Sequence, residues 1–590
     1  MKKKWMVYAK RADFQGISEE FGIDQVTARV IRNRDIVGEE EIRHYLKGSL
    51  SDLYDGRLLP GIREAAVLLI QKIQAGAHIR IVGDYDIDGV CSTYILYRGL
   101  QRIRKALSSG TSGSGDPSGA QAAEIDYVIP DRIRDGYGIN RQIIEHAKAD
   151  GVDTILTCDN GIAAIEELTF AKEQGLTVIV TDHHDVRVQE ETKEELLPPA
   201  AVIVNPKLAE SAYPTKNICG AVVAWKLIGL LYEQCGIPEA EWHTFLEFAA
   251  VATVGDVMEL KGENRIIVKY GLAQLNAGGT NPGLRKLIEA CGIAGKRLGA
   301  YHIGFVIGPC INAGGRLETA EAALRLFLSD SEKEAEKLAA HLRLLNDERK
   351  DMTETGVQEA ARQAENLYAQ DTVLVIYLPD LHESLAGIVA GRIRERSGKP
   401  CFVITDGQEG CKGSGRSIGQ YHMFQGLCGV AGLLSKFGGH PMAAGLSLPK
   451  ENVEAFRREI NRQSSLTEED FVGTLWIDAA MPLPYISERL ISELSMLEPF
   501  GNRNEKPVFA VKGVRLDGIT VLGKNRNVLK CRVTDGSGYS ISAVMFGEAE
   551  RMKTELSGCA LCNIVYYPEI NEYNGFRRIQ LVISEYAPAR

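Results

Sequence analysis

Between residues 60 and 290, short apolar runs alternate with amphipathic stretches. The runs at 78–82, 125–129, 153–157, 177–181 and 201–204 have strand length and are rich in Ile, Val and Thr. The stretches 91–106, 140–148 and 163–174 space their apolar residues at helical intervals. This alternation predicts an α/β lobe built on a doubly wound, mostly parallel sheet. Ahead of it, 23–31 and 39–46 have helix-like spacing, so 1–55 is expected to be a helical N-terminal segment, with the α/β lobe spanning 56–300. Residues 318–368 are rich in Ala, Glu, Leu, Lys and Arg and hold no Pro. They predict long connecting helices within 301–368.

A second α/β lobe is expected over 369–460. Its strands lie at 372–378 and 400–405 and its helix at 386–396, and it closes on the Gly-rich loop Gly438-Gly439-His440. The pattern then changes. Short β-like runs at 508–511, 518–522, 528–533, 540–546, 560–567 and 578–584 are separated by turns such as Asp535-Gly536-Ser537-Gly538 and Tyr573-Asn574-Gly575. Over 461–590 they predict a small OB-like β-barrel. The stretch 108–119 (SSGTSGSGDPSG) reads as a flexible insertion. No internal repeat is evident.

Composition narrows the class. A chain of 590 residues exceeds one ordinary domain, and 45% hydrophobic with 25% charged residues is typical of soluble globular proteins. No apolar run reaches the ~18–20 residues of a membrane span. Met1-Lys2-Lys3-Lys4-Trp5-Met6 carries charge but no following apolar stretch, so no secretory signal is expected and a cytosolic location is. The 12 cysteines are scattered, as suits reduced thiols. Cys559 and Cys562 form a Cys-x-x-Cys without a second ligand pair, so a strand is expected there rather than a zinc site. The net charge of −10 leaves room for a local basic groove.

Candidate chemistry sits where predicted strands end. Asp84-Tyr85-Asp86-Ile87-Asp88-Gly89 follows the run at 78–82 and resembles the start of an EF-hand loop. Its twelfth position, however, is Ile95 rather than Glu, and a strand precedes it instead of a helix. Asp159-Asn160-Gly161 and Asp182-His183-His184 follow two further strands, and Asp256 lies in an apolar stretch. A buried Asp is costly unless paired or bound to metal. Four acidic sites and an adjacent His pair within one lobe therefore point to metal. Carboxylates with imidazole and no thiolate favour Mn²⁺ or Mg²⁺. Two such ions about 3.5–4 Å apart can activate water and neutralise a phosphodiester transition state.

The series DxDxDG, DNG, DHH and GD, in this order, resembles the DHH phosphoesterase family. Further stretches resemble its bacterial branch of single-strand-specific 5′→3′ exonucleases. They are Pro130-Asp131-Arg132-Ile133-Arg134-Asp135-Gly136-Tyr137-Gly138, the run from Gly308 to Arg316 (GPCINAGGR), and the run from His382 to Ala390. Gly413-Ser414-Gly415-Arg416-Ser417, GGHPMAAG from Gly438 and LEPFGNRNEKPVF from Leu497 complete the set. The resemblance covers about residues 50–590. It implies a two-ion Mn²⁺ or Mg²⁺ site on Asp84, Asp86, Asp88, Asp159, His183 and Asp256, with Asp159 bridging and His184 beside the scissile phosphate. It implies that Arg132 and Arg316 clamp a 5′-phosphate, and that Asn312, His382, Arg416, Ser417 and His440 line the nucleotide path on a second, nucleic-acid-binding lobe.

The implied activity is stepwise release of 5′-mononucleotides from single-stranded DNA in recombination and repair, in a bacterial cytoplasm. A single-strand-binding protein and a RecQ-like helicase are the implied partners. Phe509, Tyr539, Tyr566 and Tyr567 are candidates for base stacking or for barrel core. The alternatives are a DHH phosphodiesterase acting on short oligoribonucleotides or cyclic dinucleotides, which usually lacks the barrel, and a non-catalytic strand binder, which would have lost metal carboxylates. The sequence departs from family patterns at Val82, where some relatives have His, at Asn160, where Cys is usual, and at Leu381-His382-Glu383-Ser384, where Trp-His-Pro-Gly is usual.

Overall fold

The five apolar runs of the first lobe become strands β1 (His78–Val82), β2 (Glu124–Val128), β3 (Thr154–Cys158), β4 (Thr177–Thr181) and β5 (Val202–Val204). The central strands β3 and β4 are buried on both faces, which is why they read as continuous apolar runs, while the edge strands β2 and β5 are half-exposed. All pair in parallel, in the order β2-β1-β3-β4-β5. In this order the chain reverses direction across the sheet between β1 and β3. The carboxyl ends of these two strands border the crevice where open α/β sheets place ligands. The structure is a computed structural model and describes residues 3–110, 123–189, 191–407, 410–573 and 575–589.

Helices cover the sheet and are set by local signals. Ile87–Gly110 begins at the aspartate motif itself, because the Asp86 carboxylate accepts from the backbone N–H groups of Asp88 and Gly89 at 2.9 and 3.1 Å. Arg141–Ala149 is capped by the Asn140 side chain. The predicted insertion at 108–119 lies, from 111 onward, outside the described residues, as does Asn574 of the second predicted turn. The connecting stretch forms Glu321–Leu328 and then one 35-residue helix, Glu332–Asn366, capped by Ser331.

The second lobe is a mixed sheet of β6 (Leu374–Tyr377), β7 (Cys401–Gly407), β8 (Gly410–Arg416), β9 (Lys436–Gly439) and β10 (Ala443–Leu448), in the order β9-β10-β8-β7-β6. Only β6 and β7 are parallel; the remaining pairs run antiparallel. The expected loop at Gly438-Gly439-His440 is corrected here. Gly438 and Gly439 belong to a strand, and Gly439 at φ 149° packs so tightly on β10 that a Cβ would meet the Ala443 carbonyl. These two lobes fall in one compact unit, Tyr54–Met258 with Tyr270–Gly473.

The second unit comprises Lys4–Leu53, Glu259–Lys269 and Thr474–Arg590. The six strands of its barrel are β11 (Ala479–Ala480), β12 (Phe509–Leu522), β13 (Val528–Thr534), β14 (Ser540–Phe546), β15 (Cys562–Tyr573) and β16 (Phe576–Pro588). The order is β11-β12-β13-β14-β16-β15, and an extra β12–β15 pairing closes the barrel. The predicted runs at 508–511 and 518–522 are one strand with register shifts, and a helix, Ala549–Ser557, precedes Cys559. Cys559 is thus outside the expected strand and Cys562 begins it. Phe509, Tyr566 and Tyr567 are barrel core; of the four aromatic candidates only Tyr539 is exposed. The N-terminal helices do not stand apart, because Ile31, Leu46, Leu490, Leu497 and Phe509 share one core.

A buried ion pair fixes this unit. Arg34 and Asp478 are 5% and 1% exposed, and the guanidinium donates to both carboxylate oxygens at 2.8 and 3.2 Å. Asn33 and the Val508 backbone N–H satisfy the remaining acceptor positions. Removing one partner of such a pair strands a buried charge. Arg34→Ala is therefore expected to destabilise this unit by about 3–5 kcal/mol, read as a lower urea midpoint of its transition. An unchanged midpoint would show that water reaches Asp478.

Candidate functional site

The strand ends deliver the acidic residues to one place. Asp84, Asp86 and Asp88 follow β1, Asp159 follows β3 and His183 follows β4; Asp256 closes the helix Leu246–Gly255. Three groups emerge whose potential ligand atoms lie within 4.8 Å of one another: Asp84 with Asp86 and Asp159, Asp88 with His183 and Asp256, and Asp159 with His183 and His184. His183 Nε2 sits 3.0 Å from Asp159 Oδ1, 3.5 Å from Asp88 Oδ2 and 3.7 Å from Asp256 Oδ2. All six residues predicted as ligands are thus brought together, with Asp159 between the first two groups.

The backbone around them is specialised. Asp159 has φ 60°, a left-handed conformation that favours Gly, Asn or Asp. The N-terminus of the helix Gly220–Gln234 points at Asp88, whose oxygens accept from the N–H groups of Gly220 and Ala221 at 2.6 and 2.8 Å. Gly220 also lies against Asp159, where an added Cβ would approach the Asp159 Cβ to 2.8 Å. Asn160 turns away from the cluster. It donates to the Val82 and Cys158 carbonyls and accepts from the Ile139 N–H, so it tethers β1 to β3. Val82 is wholly buried in the core beside it.

The cluster is electrostatically incomplete. Asp84 Oδ1, Asp159 Oδ1, Asp256 Oδ2 and both ring nitrogens of His183 are buried without a hydrogen-bond partner. Buried polar atoms rarely remain so. Burial, and then the neighbouring carboxylates, push Asp84 and Asp256 up to about 8 and raise Asp86 and Asp159 as well. Burial lowers His183, which favours the neutral imidazole that binds metal. Divalent cations would satisfy these atoms and cancel the repulsion. The nearby Cys91, Cys158 and Cys219 are pushed up by burial and by the acidic neighbours, so their thiols stay protonated and offer no thiolate. The donor set therefore fits hard oxygen-seeking ions.

Two supporting residues were not singled out as site residues by the sequence. Asp182 accepts from the backbone N–H groups of His183 and His184 and lies 2.8 Å from His184 Nδ1. Burial opposes charge on His184, but the Asp182 hydrogen bond and further carboxylates raise it to about 9. Tyr137 Oη donates to the Asp159 carbonyl at 2.8 Å and lies 3.2 Å from the half-exposed His184 ring. Its signal was the flanking pair Gly136 and Gly138, both in the left-handed region.

Beside the cluster, a cleft of about 460 Å³ is lined by Tyr85, Arg132, Tyr137, Ser384, Lys412 and Phe437, among others. The Arg132 guanidinium stacks over Tyr85 at 4.5 Å. Arg316 donates to the Ser384 carbonyl at 2.8 Å and is brought down to about 10 by burial and by the charges of Arg132 and Arg349. Arg349, in turn, feels Arg392. Cations held against each other await an anion. Asn312 Oδ1 has no hydrogen-bond partner either.

The second lobe's predicted residues divide. His440 is exposed and close enough to Asp185 to help lower its carboxyl, after the Lys207 hydrogen bond and against burial. Arg416 is held by Ser414 and the Gly415 carbonyl. His382 caps a short turn through Ser384. Ser417 departs from expectation: it is 1% exposed and its hydroxyl donates to the Tyr421 carbonyl, so it supports the turn and does not line a path.

Comparison with known proteins agrees with this geometry. Residues 78–253 match the DHH family N-terminal domain, 370–465 the DHHA1 domain and 477–585 the RecJ OB domain. The single-stranded-DNA-specific exonuclease RecJ of Bacillus subtilis is 33% identical over 99% of this chain and 71% of its own length. Its Escherichia coli counterpart is 31% identical over 95% of each chain. The crystal structure of RecJ from Thermus thermophilus in complex with Mn²⁺ superposes with a TM-score of 0.81 at 29% identity, over 100% of this chain and 80% of that one. The Mg²⁺ complex gives 0.76 at 28%, over 100% of this chain and 79% of that one.

Two outcomes test the electrostatic reading. Without divalent metal, Asp84 and Asp256 keep protons to about pH 8 when folded but only to about 4 when unfolded. The unfolded chain therefore loses protons first, and stability should fall as pH rises from about 4 to 8. In EDTA the melting temperature should drop by several degrees between pH 5.5 and 8.0, and Mn²⁺ should restore it; a flat or rising profile in EDTA would refute the assignment. Gly220→Ala, which crowds Asp159 while leaving every proposed ligand residue unchanged, should weaken Mn²⁺ binding roughly 10–100-fold by titration calorimetry while leaving far-UV circular dichroism unchanged.

Proposed function

Because the chain belongs to the RecJ family of single-stranded-DNA-specific exonucleases, we propose that it hydrolyses single-stranded DNA from the 5′ end with two Mn²⁺ or Mg²⁺ ions. The observation that carries this reading is the set of buried, unpaired ligand atoms on Asp84, Asp159, Asp256 and His183 at the sheet's switch point, beside a cleft lined by cations. Asp84, Asp86 and Asp159 would hold one ion, and Asp88, His183, Asp256 and a shared Asp159 the other. When bound, the ions supply Lewis-acid activation of water and neutralise charge on the phosphodiester.

The chain's own side chains do the rest. His184, held by Asp182 and facing Tyr137, would donate a hydrogen bond to an oxygen of the scissile phosphate. Arg132 and Arg316 would grip a 5′-terminal phosphate, since a planar guanidinium suits phosphate oxygens. Seating that phosphate would set the register, so that each cut releases one 5′-mononucleotide. Asn312, His382, Arg416 and His440 would guide the strand across the second lobe. The barrel would hold the strand further along by charge and by stacking on exposed aromatics such as Tyr539. A cytoplasmic role in recombination and repair, alongside a single-strand-binding protein and a RecQ-like helicase, belongs to the same proposal. Among the described residues no helix is long and apolar enough to cross a membrane.

The test is a time course on a 3′-labelled, 5′-phosphorylated strand of ~40 nucleotides with Mn²⁺, with a blunt duplex control. The strand should shorten from its 5′ end, the duplex should persist, and Asp159→Ala should fall to background. Arg316→Ala should raise KM for the 5′-phosphorylated strand about 10–100-fold, the equivalent of losing one charge-assisted hydrogen bond, and much less for a 5′-hydroxyl strand. Cleavage confined to oligonucleotides of a few residues would replace this reading with the short-substrate phosphodiesterase; binding without cleavage would make the chain a strand-binding module.

A further inference from the structure

Two thiols from separate helices meet outside the acidic cluster. Cys291 closes the helix Pro282–Ala290 and Cys310 lies in the helix Gly308–Leu317; their sulfurs are 3.6 Å apart. Cys291 is half-buried and Cys310 is wholly buried. Cys310 Sγ lies 3.3 Å from the Val306 carbonyl, and the long helix Glu332–Asn366 brings the cations of Arg343 and Lys350 to Cys291. The Cys310 hydrogen bond, working against burial, and then these cations lower Cys291 to about 7. The same contact and burial push Cys310 up. Cys291, the more exposed thiol and the one facing Arg343 and Lys350, is suited to attack, and the buried Cys310 to resolve. By contrast, burial raises the thiols of Cys91, Cys158, Cys219, Cys401 and Cys531.

We propose that Cys291 and Cys310 are an oxidation site, which hydroperoxides convert reversibly to a disulfide that ties the end of one helix to the helix carrying Asn312 and Arg316. The Cys291 thiolate attacks the distal oxygen of the hydroperoxide. The O–O bond breaks, the alcohol (or water) leaves with the proton that Cys291 had shed, and Cys291 becomes a sulfenic acid. The Cys310 sulfur then attacks the Cys291 sulfur. The S–O bond breaks, and the hydroxyl leaves as water with the Cys310 proton. Two thiols supply two electrons, and one hydroperoxide is reduced.

Closing the bond draws the sulfurs from 3.6 Å to about 2.05 Å. Most of that movement falls to Cys291, which sits at a helix end followed by Gly292 at φ 68°. Cys310 is held within its helix, so the bond restrains the residues immediately before Asn312 and Arg316.

The full-length reduced protein would be treated with hydrogen peroxide and digested without reductant for mass spectrometry. A linked peptide containing Cys291 and Cys310 is expected, with an intact mass about 2 Da lower, reversed by dithiothreitol and absent from Cys291→Ser. Amide hydrogen exchange across 308–317 should slow in the oxidised wild type and not in that variant, a readout that does not need nuclease activity. The consequence for turnover rests on the function proposed above: at subsaturating strand, oxidation should change the rate several-fold in wild type and leave Cys291→Ser unaffected. Overoxidation of Cys291 without a link, links confined to Cys559 and Cys562, or a linked protein with unchanged exchange and turnover would overturn the proposal.

Discussion

The catalytic lobe is organised around a repulsion. Asp84, Asp86, Asp88, Asp159 and Asp256 converge at the end of a parallel sheet, where water is largely excluded. Mutual repulsion and desolvation both disfavour their charges, and no Arg or Lys enters the cluster as an ion-pair partner among the described residues. The fold holds them by rigid means instead: backbone N–H groups at two helix N-termini, a left-handed turn at Asp159, and the Asp182 carboxylate behind the two histidines. Basic residues are kept a short distance away, around the cleft, where Arg316 feels Arg132 and Arg349 more strongly than Asp86. This separation of charge leaves one place for cations and one for an anion.

The sequence was most legible where chemistry follows directly from short runs. Five apolar runs became five strands with bounds shifted by a residue at most; burial on both faces of the central strands leaves a continuous apolar signal there. The six predicted ligands met because each follows a strand or helix end, and ends of parallel strands gather on one side. Asn160 and Val82, which depart from family patterns, proved to be framework: one ties two strands together and the other fills the core between them.

What stayed hidden depends on contacts far apart in the chain. Strand β8 (GCKGSGR) was missed because glycines replace the apolar residues of its inward face; Gly415 lies against the Phe402 ring, where a Cβ would come within 2.5 Å. The continuity of β12 is invisible in a sequence that its register shifts interrupt. Ser417 sits in an Arg-Ser motif that suggests phosphate contact, yet its hydroxyl completes a turn. Arg349 lies on a helix whose charges all look alike in sequence, and only packing sets it beside Arg316. The role of Gly220 is similarly non-local, since its importance lies in the space that Asp159 needs.

The spread of the ligands along the chain has a consequence for biosynthesis. An EF-hand or zinc finger gathers its ligands within a short segment, so an ion can meet its full set while the chain is still emerging from the ribosome. Here the proposed ligands run from Asp84 to Asp256, at the end of a helix that must already pack against the sheet. On that proposal, metal loading would follow folding of the lobe rather than guide it. Until then the newly made lobe passes through a metal-free state in which protons on Asp84 and Asp256 relieve the crowding that ions later relieve. On the same proposal, a proton-for-metal exchange would be the last step in maturation of the site.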